Sequence, residues 1–182
     1  MEWKNNVWED CHPPVEAARL AEVEHALGVT FPDDYKECVQ RCHGGSPLKP
    51  EFAFDDPVIG WMAGCVGVLL SFTKDDENNY IVKTYKLLSP FLPQGAIPVV
   101  DDGGGDFVCL DYSHGWPPSV GYWHHGDRSL VPLAASFSEF LDMLHEGAPF
   151  TPEMLAELDS IKERLDKQWA SKAKDPSRDL EE

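Results

Sequence analysis

The sequence predicts an α+β fold: a single domain of mostly antiparallel mixed sheet with helices packed against it, followed by an extra helix at the C-terminus. Apolar residues recur at helical spacing before residue 90 and again from residue 137. Between residues 96 and 135 the apolar runs are short and separated by clusters of Gly, Pro and Asp. With 42% hydrophobic residues, six Trp and nine Phe, the 182-residue chain can bury enough surface to offset the entropy of ordering one core. The expected division is an N-terminal extension over 1–14, a globular domain over 15–148, a helix over 149–170 and a polar tail over 171–182.

The elements follow in order. After Pro13 and Pro14, the segment VEAARLAEVEHALG sets Leu20, Val23 and Leu27 on one helical face, and Gly28 is placed to end the helix. In TFPDDYKECVQRCHGG, Pro32 suits a first helical position, Asp33 and Asp34 suit the positive end of the helix dipole, and Gly44 suits the stop. Tyr35, Cys38, Val39 and Cys42 form its buried stripe. Residues 46–56, rich in Pro and acid, read as a loop, and CVGVLLSF reads as a buried strand. Ile81, Tyr85 and Leu88 align as a third helix that Pro90 and Pro93 end. Four strands are then expected at AIPVV, DFVCLDY, SVGYWHH and LVPLAA, in an antiparallel meander. Ser136 and Glu139 form an S-x-x-E capping box before Phe137, Phe140, Leu141 and Leu144. Thr151 and Pro152 start a last helix, with Met154, Leu158, Ile161, Leu165 and Trp169 on one stripe.

The formal net charge is −17, and up to Phe150 the chain holds 23 acids against nine bases. Such a field repels nucleic acid and anionic membrane and speeds encounter with basic partners. Five cysteines at irregular spacing do not suggest a disulfide framework, which favours a reducing compartment. The N-terminal residues lack a basic start and apolar core, and the most apolar run, Val58 to Leu70, is shorter than the roughly 20 residues of a membrane span. The expectation is a cytoplasmic protein with no membrane and no nucleic-acid partner.

The aspartate-glycine stretch from Asp101 to Asp106 invites three chemical readings. A phosphate cradle wants a Lys and a following helix, and neither is present. A helix-loop-helix calcium site wants oxygen ligands at its first, third and fifth positions, where Asp101, Gly103 and Gly105 stand. A tight turn between AIPVV and DFVCLDY, with glycines supplying positive backbone angles, fits best, an ad hoc cation site being the alternative. Cys38, Cys42 and His43 have a spacing that suits zinc, but both sulfurs also fall on the buried stripe, and core packing is the expected use. His124 and His125 are adjacent, so on a strand they point to opposite faces; with His114 they leave open a histidine-lined, pH-sensitive contact. No nucleophile motif is present, no catalytic residue, metal or cofactor is assigned, and a metal-dependent enzyme built on His114, His124 and His125 is the weakest reading. The acids Asp55, Asp56, Asp75, Asp76 and Glu77 are the expected partner-binding surface.

The order of these motifs resembles the SUKH superfamily, which takes in bacterial immunity proteins and fungal cell-wall-synthesis regulators. Leu27 and Gly28 match the end of the family's first helix, and Phe31, Pro32 and Tyr35 match the opening of its second. His43, Gly44 and Gly45 match its Asn-Gly-Gly closure. Ile97, Pro98, Gly104, Gly105, Asp106, Phe107, Cys109 and Leu110 match the Ile-Pro element, turn and strand. Phe137, Phe140 and Leu141 match the final helix. The resemblance covers Val15 to Leu144, with Phe31 in place of Leu, His43 in place of Asn, and the helix from Thr151 as an addition. It implies an α+β protein-binding domain without catalytic residues, either an immunity protein that masks a toxin, often a nuclease, or a regulatory scaffold in stress or cell-wall signalling.

Overall fold

The meander that the sequence predicts is the centre of the molecule. In the computed structural model, which describes residues 8–56 and 60–147, strands β5 (Val68–Leu69), β6 (Ala96–Asp101), β7 (Phe107–Asp111), β8 (Ser119–Trp123) and β9 (Leu130–Ala134) pair antiparallel in chain order. Strand β7 buries every side chain from Phe107 to Leu110, so both faces of the sheet centre are covered. The register shifts between Pro98 and Val100, a bulge where a proline without a donor can sit in a central strand.

Helices α1 (Ala17–Leu27), α2 (Asp33–Arg41), α3 (Ile81–Leu88) and α4 (Phe137–Met143) form where the apolar periodicity places them. Gly28, at φ 71°, ends α1, its N–H bonding to the His25 carbonyl while Val29 bonds to Glu24. Pro32 stands one position outside α2 as its N-cap, not inside the first turn, and the helix ends at Arg41 with Cys42 extended. At Gly44, φ is 69° and a Cβ would collide with the His12 ring. Glycine is thus required by the chain path and by the packing, although the helix has already stopped. Ser136 accepts from the Glu139 N–H, and the Glu139 carboxylate accepts from Ala135, one residue earlier than a standard capping box. Asp34 reaches across to accept from Ser138 N–H at 2.8 Å, so the first turn of α2 also caps α4.

Three expectations are corrected. Residues 46–56 are not a loop: β2 (Ser46–Pro47) pairs with β1 (Trp8–Glu9), and β3 (Glu51–Asp56) pairs over its whole length with β4 (Gly60–Cys65). Acids and prolines masked the alternation of EFAFDD, in which Phe52 and Phe54 turn inward. Of CVGVLLSF only Cys65, which ends β4, and Val68 and Leu69, which form β5, are strand, while Val66, Leu70 and Phe72 are buried without regular pairing. Cysteine spacing hid a disulfide between Cys11 and Cys42, with Cα atoms 5.0 Å apart and a sequence separation of 31. Strand pairing of β1 with β2 carries Cys11 to the end of α2, a tertiary placement that cysteine counting does not register. Cys38 and Cys109 are free and buried, and Cys65 is free and exposed.

Packing is dominated by aromatic edges. Tyr35 meets Phe31 and Phe137 edge-on, and Phe52 meets Tyr122 and Phe140 likewise. These contacts seat α2, α4 and the β3–β4 hairpin in one core. The chain divides into Met1–Gly147 and Ala148–Glu182, and the helix expected from Thr151 lies outside the described residues.

Candidate functional site

The acidic end of the meander is built by the β6–β7 turn. Gly103 and Gly105 take φ of 81° and 100°, which the aspartate-glycine reading as a tight turn requires. Asp101 accepts from Gly103 N–H, and one oxygen of Asp102 accepts from Gly104 and Asp106 N–H. The other Asp102 oxygen takes the Tyr122 hydroxyl at 2.8 Å. Asp106 accepts from His125 N–H at 2.8 Å, and its two oxygens meet His125 Nδ1 at 2.6 Å and His124 Nδ1 at 3.1 Å.

The two histidines therefore converge, contrary to their expected divergence. They lie in the turn beyond Trp123, the last residue of β8, where strand alternation no longer governs direction. His124 stands edge-on to Tyr122, its Nε2 buried with no partner among the described residues. Partial burial pushes the Asp106 carboxyl up, but the hydrogen bonds from His125 and His124 outweigh it and hold it below the ordinary value. Burial, then the bond to Asp102, pushes the Tyr122 phenol up. The arrangement holds negative charge in a hydrogen-bonded turn. Among the described residues, no three His, Cys, Asp or Glu side chains are grouped to hold a metal ion.

A second polar centre lies where the N-terminal segment meets the chain just past the end of α2. His12 N–H bonds to the His43 carbonyl, and His12 Nε2 lies 3.0 Å from Asp76. His43 bonds through Nε2 to the Pro13 carbonyl and through Nδ1 to Phe72 N–H, and it is 2% exposed. Beside it, a groove of about 490 Å³ runs between Pro13, Arg19, Phe72 and Lys74. Sequence reasoning missed this centre; His43 standing where the family has Asn was the only local sign.

The five acids expected to meet a partner fall on two elements. Asp55 is exposed on β3 and Asp56 ends that strand; Asp75 and Glu77 are exposed before α3. Asp76 is engaged within the chain, accepting from Asn79 N–H and pairing with His12. No hydrogen bond or ion pair among the described residues joins Asp55 to the second group. Of the motif positions, Leu27 and Tyr35 are buried, Gly45 abuts the disulfide sulfurs, Pro98 sits at the bulge and Gly105 at the turn.

A five-stranded antiparallel meander with flanking helices defines a small α+β domain. The chain belongs to the SMI1 / KNR4 family (SUKH-1), which it matches over residues 14–143. It is also similar to the SPbeta prophage-derived uncharacterized protein YokK of Bacillus subtilis (strain 168). The two are 25% identical over 146 residues, covering 68% of this chain and 71% of that protein. No helix among the described residues is long and apolar enough to cross a membrane.

Proposed function

We propose that this chain is a non-catalytic immunity protein that neutralises a basic toxin, a nuclease being the best fit, by binding and covering it. The observation that carries the reading is the net charge of −17 on a member of a family that includes immunity proteins. A nuclease is basic where it holds phosphate, so an acidic partner occupies that groove by matching its field, while desolvated contacts set the dissociation rate. Exposed Asp55, Asp75 and Glu77, with Asp56, supply charge for the encounter. Asp76 contributes through its position beside His12.

We place the encounter in the cytoplasm. The Cys11–Cys42 bond runs against a reducing compartment, and thiol counting on protein isolated with its thiols trapped decides the point. The functional test is co-expression with the product of a neighbouring toxin gene. Rescue of growth with recovery of a salt-sensitive complex supports the reading. Failure to protect and failure to co-purify contradict it, and a salt-insensitive complex with a non-toxin partner points to a regulatory scaffold.

A further inference from the structure

The longest unguarded strand edge in the described fold belongs to β4. Its backbone directions follow from those of β3. Glu51 exchanges both backbone hydrogen bonds with His145, so at the Glu51–Cys65 pair neither residue bonds across the hairpin. Alternation then turns the N–H and C=O of Cys65, Ala63 and Trp61 outward, away from β3. None of them bonds to another backbone group among the described residues.

The outer edge of β3 bonds to His145 at Glu51, and both edges of the five-stranded sheet are protected. Strand β5 has two residues and is covered by bonds between Leu69 and the Gly44–Gly45 backbone, and β9 carries Pro132. Strand β4, GWMAGC, has no charge and no proline, and Ala63 and Cys65 are exposed. Charge surrounds it: Asp55 is exposed on the paired strand, and Glu51 and Asp102 both act on the Cys65 thiol. A second copy of a chain with charge −17 is therefore repelled from this edge, whereas a cationic strand is attracted.

We propose that β4 is a docking edge for an extended, lysine- or arginine-rich strand of a partner protein. The strand pairs with the backbone of Trp61, Ala63 and Cys65 while its cations meet Glu51, Asp55 and Asp102. The inference rests on the reading of the partner as a basic protein and names the surface that receives it.

The test uses the full chain and two synthetic peptides of equal charge, acetyl-Lys-Val-Lys-Val-Lys-Val-Lys-amide and its Lys-Pro counterpart, which cannot form a ladder. The Lys-Val peptide is expected to bind about tenfold more tightly and to slow amide exchange at Trp61, Ala63 and Cys65. Ala63→Pro removes an outward donor without breaking a β3–β4 bond and is expected to abolish the difference. Ala63→Lys, which keeps the ladder intact, is expected to weaken Lys-Val binding and, with it, the slowed exchange. Equal binding of both peptides with unchanged exchange overturns the docking edge and leaves a basic partner standing. Binding of neither peptide at low salt overturns the docking edge and the basic-partner reading together.

Discussion

His43 Nδ1 accepts the backbone N–H of Phe72 at 3.2 Å while its Nε2 lies 3.0 Å from the Pro13 carbonyl. The pair of bonds defines one neutral tautomer, unprotonated at Nδ1. Protonation would set a ring N–H against the Phe72 N–H inside the core. Burial pushes the imidazole down from its ordinary value of 6.5, against the opposing Pro13 bond.

That relationship predicts an acid-labile fold. A group whose folded pKa lies below its unfolded one contributes stability that is present above about 6.5 and lost as pH falls. His43→Leu leaves the Phe72 N–H unpaired, at a cost of about 1–3 kcal/mol near neutral pH, and flattens the decline below it. Urea unfolding across pH checks both; an unchanged slope in the variant contradicts the role given to His43.

Asp106 acts with the opposite charge and the same sign. Its folded carboxyl lies below the ordinary 3.8, so its contribution is present above that value and is lost as pH falls through the folded pKa. Asp106→Asn keeps the shape but removes the charge that His124 and His125 share, with an expected loss of about 1–3 kcal/mol at neutral pH. Amide exchange in the β6–β7 and β8–β9 turns should quicken together. Quickening in one turn alone would show that Asp106 does not tie them.

The Cys11–Cys42 bond closes a loop between residues 31 positions apart. Cys11→Ser with Cys42→Ser is expected to lower stability by about 2–4 kcal/mol relative to oxidised protein. Its stability should match that of reduced wild-type protein. A variant as stable as the oxidised chain would remove the bond from the account.

The helices and the meander were legible because each carries its own period or its own turn chemistry. Leu20, Val23 and Leu27 fix a face, and Gly103 and Gly105 can sit at positive φ where few other residues can. The β3–β4 hairpin was not legible, because Phe52 and Phe54 supply only two inward positions and the flanking acids read as loop. The contacts among His12, His43 and Asp76, and that between Cys11 and Cys42, join segments separated by 31 to 64 residues. Such pairings follow from strand register and not from any local pattern. Asp106 was visible as a motif position, but its grip on two histidines depended on the chain leaving β8 at Trp123.

The central claim is that negative charge guides this domain onto a basic macromolecule, which it then covers. Stopped-flow association of the purified chain with the toxin domain it protects against, measured from low to high salt, tests it most directly. A rate constant on the order of 10⁸ M⁻¹s⁻¹ is expected at low salt, falling steeply as salt rises. A slow rate that is flat with salt would contradict it.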